Sequence, residues 1–208
     1  MHLKIAAALL VLLASNAVLA QSLNIDGCNI RRGTLCVNMN LNGADLQGAN
    51  LANSQFTRSS LSRANLNEAR LDEANLRSAN LSHARLEKAS MRRINARGAD
   101  FSHAVMTEAR LDNANLQNGN LSNVDLSGAR ITNADITNAR LGGAILDGAD
   151  LTRSNLRAAD LRNASLKNAI LRGTDLSRAD LGGADLTGAQ LEEANFFGAH
   201  TEGCIGCP

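Results

Sequence analysis

From Leu41 to Phe196 a centre residue returns every five positions, thirty-two times, without one insertion or deletion. Leu fills 24 of the 32 centres, and the exceptions are Phe56, Met91, Ala96, Phe101, Met106, Ile131, Ile136 and Phe196. Two residues before each centre stands Ala, again in 24 of 32, with Ser54, Ser59, Gly119, Ser154 and Thr174 among the substitutes. The residue between them is mostly Asn, Asp, Arg or Ser, and the remaining two are polar or Gly. A period of five matches neither the 3.6 of a helix nor the 2 of a strand. It places the small and the large residue of every repeat inward and turns the backbone after each one. Four such turns close a square coil of twenty residues. Gly43, Gly48, Gly128, Gly143, Gly148, Gly183 and Gly188, each two residues past a centre, suit turns that need positive φ.

The interior has to be built from these residues, because aromatics make up only 2% of the chain and Trp and Tyr are absent. A globular domain of 208 residues ordinarily fills its core with large aromatics. The pattern resembles the pentapeptide-repeat family over residues 39–201. That resemblance implies an all-β fold, a right-handed quadrilateral β-helix. Eight coils at the inter-strand spacing would make a solenoid roughly 38 Å long.

One stretch breaks the rule. In "MRRINARGADF", Ile94 stands where Ala is expected and Ala96 where Leu is expected. The small and large positions of a closed coil share a narrow interior, so the pair conserves apolar volume, whereas a void or an overpacked site costs about 1–3 kcal/mol. Core compensation is the favoured reading; the rival is an irregularity at a binding site in the coil 91–106.

The ends differ from the body. Residues 1–20 read as a secretory signal: Lys4 supplies a basic start, Ile5–Leu13 an apolar run too short to span a bilayer, and Val18-Leu19-Ala20 a small-residue cleavage site. Cleavage after Ala20 would leave the chain close to neutral and place it in the periplasm or outside the cell. The same signal would serve a thylakoid lumen. Export would put four Cys in an oxidising compartment. Of the three pairings four Cys allow, position favours the two local ones, Cys28–Cys36 and Cys204–Cys207. The domain reading is therefore a signal at 1–20, an N-terminal cap at 21–38, the β-helix at 39–201 and a C-terminal cap at 202–208. A redox CxxC at Cys204/Cys207 is the rival for the second pair, but no βαβ pattern surrounds it.

Residues twenty apart should stack on one face. Asp72, Arg92 and Asp112 form one alternating column and Glu68, Lys88 and Glu108 another, while Glu73 faces Arg93 and Asp147 faces Lys167. His83 and His103 also stack, yet Arg63 and Asn123 rather than a third ligand continue their column, so surface histidines are preferred to a metal site. Arg157, Arg162, Lys167 and Arg172 share one phase of four successive repeats and form a belt without interleaved aromatics, which argues against nucleic-acid binding. Outward apolar residues are Val105, Ile145, Ile170 and Phe197. A Leu-filled rod offers no substrate cavity, so neither an enzyme nor a cofactor is expected. The expectation is an exported structural or protein-interaction rod, a monomer or an end-to-end dimer without a membrane span, whose partner is an unidentified envelope protein. Its candidate interaction residues are His83, Arg92, Arg93, Arg97, His103, Val105 and Phe197. The resemblance also implies an alternative, since some cytoplasmic family members mimic duplex DNA and engage topoisomerases. This chain departs from them in its signal, its near-neutral charge and its lack of a C-terminal helical segment. A redox or metal-binding role through Cys204/Cys207 or His83/His103 ranks third.

Overall fold

The computed structural model describes residues 23–25 and 27–208, so the expected signal segment at 1–20 lies outside the described residues. Two short strands, β1 (Leu23–Ile25) and β2 (Cys28–Ile30), form an antiparallel hairpin with Ile25 opposite Cys28. Gly27, at φ +88°, makes its turn and donates its N–H to Asn24 Oδ1 at 3.0 Å. Everything after the hairpin is coil stacked on coil. Single parallel bridges join each residue before a centre to the residue twenty later, from Leu35↔Gln55 to Asp185↔Ile205. The ladder thus starts four residues before the expected boundary at 39 and runs four past the one at 201. Cys36 and Cys204 fill inward positions as apolar residues do, so the coil continues through segments expected to be caps.

Why a five-residue unit folds this way follows from its five N–H groups, each of which needs an acceptor. Leu41 and Gly43 donate to Ser60 O and Ser62 O of the following coil, at 2.7 and 2.8 Å. Asn65 donates back to Ala44 O of the preceding coil at 2.9 Å. Ala44 closes the turn on Leu41 O at 3.1 Å. The fifth, on the residue after the centre, is taken by a side chain: Gln47 N–H donates to Asp45 Oδ1 at 3.3 Å. This is the reason for Asn and Asp at the outward position between small and large residue, because a short side chain there accepts the N–H two residues on. Other repeats carry a different residue at this position, and four of these hold Ser60, Arg85, Ser90 or Ser165. There the N–H of Ser62, Glu87, Arg92 or Lys167 turns to Asn42, Asn67, Asp72 or Asp147 of the coil before.

The turn requires positive φ two residues past the centre, and the structure shows this at glycines and at 23 other residues, nine of them Asn. Asn tolerates the left-handed region, but Arg93 (φ +56°) and Lys88 (φ +57°) do not favour it. Their N–H groups bond the next coil at 2.9 Å each, so stacking holds what local preference opposes.

Inside, the centres from Leu41 to Leu186 are at most 1% exposed. Ile94 and Ala96 are 1% and 0% exposed, so the exchanged pair is a core feature. The turn before Ile94 stays open, whereas Ala89 and Ala99 close on Leu86 O and Ala96 O at 3.1 and 3.0 Å. Polar residues in the inward small positions spend their hydroxyls on backbone: Thr174 Oγ1 donates to Leu151 O at 2.8 Å, and Ser59 Oγ to Cys36 O. No buried side-chain nitrogen or oxygen among the described residues lacks a partner.

Candidate interaction surface

Each coil has four sides, and each side is counted with its bridge column and the two turn columns that follow it, the second of which stands at the corner before the next side. In chain order, face 1 carries the bridge ladder Leu35 to Asn195, face 2 Asn40 to His200, face 3 Asp45 to Ile205 and face 4 Asn50 to Gln190. Faces 1 and 3 are two turns apart and so lie on opposite sides of the rod.

The seven expected interaction residues do not form one surface. His83 and His103 lie on face 2 as stacked rings, 4.9 Å between centroids and 5° from parallel. Both occupy positive-φ turn positions, and among the described residues no group of three or more His, Cys, Asp or Glu could hold a metal ion. Arg92 and Arg93 lie on face 4 and are engaged: Arg92 donates Nε and Nη2 to the two oxygens of Asp72 at 3.0 and 3.1 Å, and Arg93 lies 3.5 Å from Glu73. Val105 is half-buried in the ladder of face 3, bridging Arg85 and Asp125. Arg97 and Phe197 lie on face 1. Phe197 is 76% exposed there.

The charged columns hold as geometry and need one correction as chemistry. Lys88 lies 3.9 Å from Glu108 as the column predicts. Asp112, however, turns away from Arg92 to Arg130, whose Nε lies 2.5 Å away, and Lys167 reaches Asp185 at 3.3 Å rather than Asp147. These partners are eighteen residues apart, because the columns before and after a centre are diagonal neighbours on one face. Nor are all the pairs exposed ladders of little value: the Asp72 and Asp112 side chains are only 15% and 12% exposed. Burial pushes the Asp72 carboxyl up, but hydrogen bonds from the Arg92 guanidinium, Ser90 Oγ and Arg92 N–H outweigh it and hold the group at about 2. Asp112 follows the same balance, burial opposed by bonds from Thr132 and Arg130, with its pKa lowered. On face 2 Arg162 binds both oxygens of Asp160 at 2.8 and 2.7 Å and holds that carboxyl low. His200 sits 2.9 Å from Asp180, whose hydrogen bond and charge raise its pKa.

The faces differ in formal charge. Face 3 has seven acids, from Asp45 to Asp185, against Arg85, Lys88 and Lys167, all three of which are ion-paired. Face 1 has five arginines, Arg58, Arg77, Arg97, Arg157 and Arg178, against Asp135 and Asp175. None of the five forms a salt bridge among the described residues. Sequence reading missed this segregation because it followed single columns and runs of the chain, whereas a face gathers three columns drawn from every twentieth residue. It also missed Leu35, Val37 and Ile205 as outward apolar residues, 78%, 45% and 58% exposed, since they fell in segments expected to be caps.

Comparison with known proteins supports the fold. A family model described as pentapeptide repeats matches residues 40–77, 74–113, 109–148, 134–173 and 174–203, in eight copies. HetL, a pentapeptide repeat protein involved in heterocyst differentiation regulation from the cyanobacterium Nostoc sp. strain PCC 7120, is similar at 32% identity and a TM-score of 0.58, covering 83% of this chain and 87% of HetL. Trypsin-treated QnrB1, a plasmid-mediated fluoroquinolone resistance protein, is 19% identical with a TM-score of 0.66, covering 79% of this chain and 87% of that one, a likeness of fold. No curated protein matches the chain. The structure has the architecture of the right-handed quadrilateral β-helix, without a helix among the described residues. With its repeats matched from residue 40 to 203, this chain belongs to the pentapeptide-repeat family.

Proposed function

We propose that the chain is an exported, non-enzymatic rod that acts through its faces as a structural or protein-interaction element of the cell envelope. One observation carries the reading: the interior is filled by apolar side chains whose centres are at most 1% exposed from Leu41 to Leu186, so the polar chemistry of the protein lies on flat outer faces. Such faces can bind a surface but cannot enclose a substrate. The N-terminal signal and the two local cysteine pairs, with Cα–Cα distances of 5.4 and 5.8 Å, are what an oxidising compartment would use. Fractionation with N-terminal sequencing tests export, for which a periplasmic or lumenal product beginning at Gln21 is expected. Crosslinking and pull-down from the same fraction tests the role. Envelope proteins are the expected partners, and a topoisomerase recovered from a cytoplasmic chain would replace this reading with that of a DNA-like binder. That alternative would use face 3, the most acidic side.

A further inference from the structure

We propose that face 1 is a docking surface for an anionic lipid bilayer, on which the rod lies flat with face 3 turned away. The inference rests on the charge map and is independent of the export reading. Three observations converge on this side. First, Arg58, Arg77, Arg97, Arg157 and Arg178 form no salt bridge among the described residues, although every basic residue of face 3 is paired. Arg77 and Arg97 are exposed and stack twenty residues apart, about 4.8 Å between backbones. Like charges in register oppose folding, and among the described residues neither arginine is paired with an acid.

Second, the two acids of the face are already satisfied internally. Asp135 accepts from Thr137 and Gln117, and Asp175 accepts from Ser177 N–H and from Asn195 Nδ2 at 3.1 Å. Between Gln55 and Asn118 the face carries no acid at all.

Third, the face is apolar at both ends. Leu35 and Val37 are 78% and 45% exposed in its first coil, and Phe197 is 76% exposed in its last, so three of the five exposed large hydrophobics lie on this side. The other two, Ile145 and Ile205, lie on acidic face 3. Leu35 and Phe197 stand about 38 Å apart along a straight ladder. A nucleic acid would gain nothing from aliphatic ends and finds no aromatic among the arginines to stack on. A bilayer gains from both, because basic side chains meet headgroups while short apolar side chains enter the interface. With seven acids against three bases, face 3 fixes the orientation by repulsion.

Co-sedimentation of the oxidised full chain with vesicles provides the test. Binding is expected to phosphatidylcholine vesicles containing phosphatidylglycerol and not to phosphatidylcholine alone, weakening as salt is raised. R77Q/R97Q should lower the apparent affinity by about twenty-five-fold, since one basic residue near an anionic surface is worth roughly fivefold. L35S/F197S should abolish the part of the binding that survives high salt. E68Q/E108Q, on face 3, should leave binding unchanged or slightly tighter. The replaced arginine guanidiniums make no hydrogen bonds among the described residues, and unchanged circular dichroism confirms that the variants fold. The proposal is overturned if all variants sediment equally, as a leader-mediated attachment would require. Retention of heparin or duplex DNA without vesicle binding also overturns it, as does indifference to L35S/F197S.

Discussion

At the N-terminal end of the rod the hairpin Leu23–Ile30 packs on the first coil, and Cys28, Cys36 and Leu41 are 1% exposed or less. At the C-terminal end no described segment lies over the last coil, and Leu191, Ala194, Phe196, Ala199 and Cys204 stay half-buried in the same inward phase. Both ends carry a local cysteine pair, one closing eight residues and one three. Only the first pair is inside the core. The repeat assigns a residue to the interior, but the coil stacked above it determines whether water is excluded, which is how quasi-one-dimensional solenoids draw their stability.

The sharpest way to break this comparison is to truncate one equivalent centre at each end. Leu41→Ala should cost about 2–5 kcal/mol as a fully buried cavity, and Leu191→Ala less than that, because part of its transfer from water is never made. Denaturant unfolding of the two variants decides, and equal losses would show that the last coil is covered in solution. Mid-rod, where coils lie above and below, Ile94→Ala should cost about 2–4 kcal/mol. Ala96→Leu alone should overpack the site, and the double variant should recover most of the loss, since the two share one interior. Additive single effects would separate them.

A smaller difference is expected from the cysteines. Replacing Cys28 and Cys36 by Ser should cost about 2–3 kcal/mol, within the usual range for a disulfide and at its lower side for a short loop. The Cys204/Cys207 double Ser variant should be milder. Hydrogen exchange should show the hairpin and first coil opening in the former, and little change beyond an already fast last coil in the latter.

The smallest effects concern pH, and they have opposite sign in the body and at the C-terminal end. Asp72 has its pKa depressed from 3.8 to about 2 in the folded chain, so its contribution is complete above the unfolded value and lost as pH falls through the folded one. Between about pH 4 and 2 the Asp72→Asn variant should lose less stability than the parent, by on the order of 1–2 kcal/mol. His200 has a raised pKa, so its pairing with Asp180 supports the last coil below the unfolded value of about 6.5 and fades as pH rises through the folded value. Exchange in residues 196–205, corrected for intrinsic rate, should therefore be faster at about pH 9 than at about pH 6 in the parent and not in His200→Gln.

Much was legible before any coordinates. Period five with Leu and Ala inward assigned Leu41 through Leu186 to the core, and twenty-residue spacing assigned Arg92 to Asp72 and His83 to His103, because a coil of constant length makes sequence distance a spatial coordinate. The glycines two past a centre marked the turns. What they concealed was that Arg93, Lys88 and Glu73 take the same left-handed backbone, a conformation their own preferences oppose and only inter-coil hydrogen bonds enforce.

The diagonal pairs Arg130–Asp112 and Lys167–Asp185 also needed the structure. A long side chain chooses between neighbours directly above and those one column across, and repeat arithmetic ranks these equally. The sequence by itself determined the coil, its period, its inward residues and the order of the four sides, since each is set by a local unit that repeats without interruption. Tertiary stacking alone decided which carboxylates are shielded, which end is covered and which side collects unpaired arginines, because those properties belong to groups of residues that meet only when coils lie on one another.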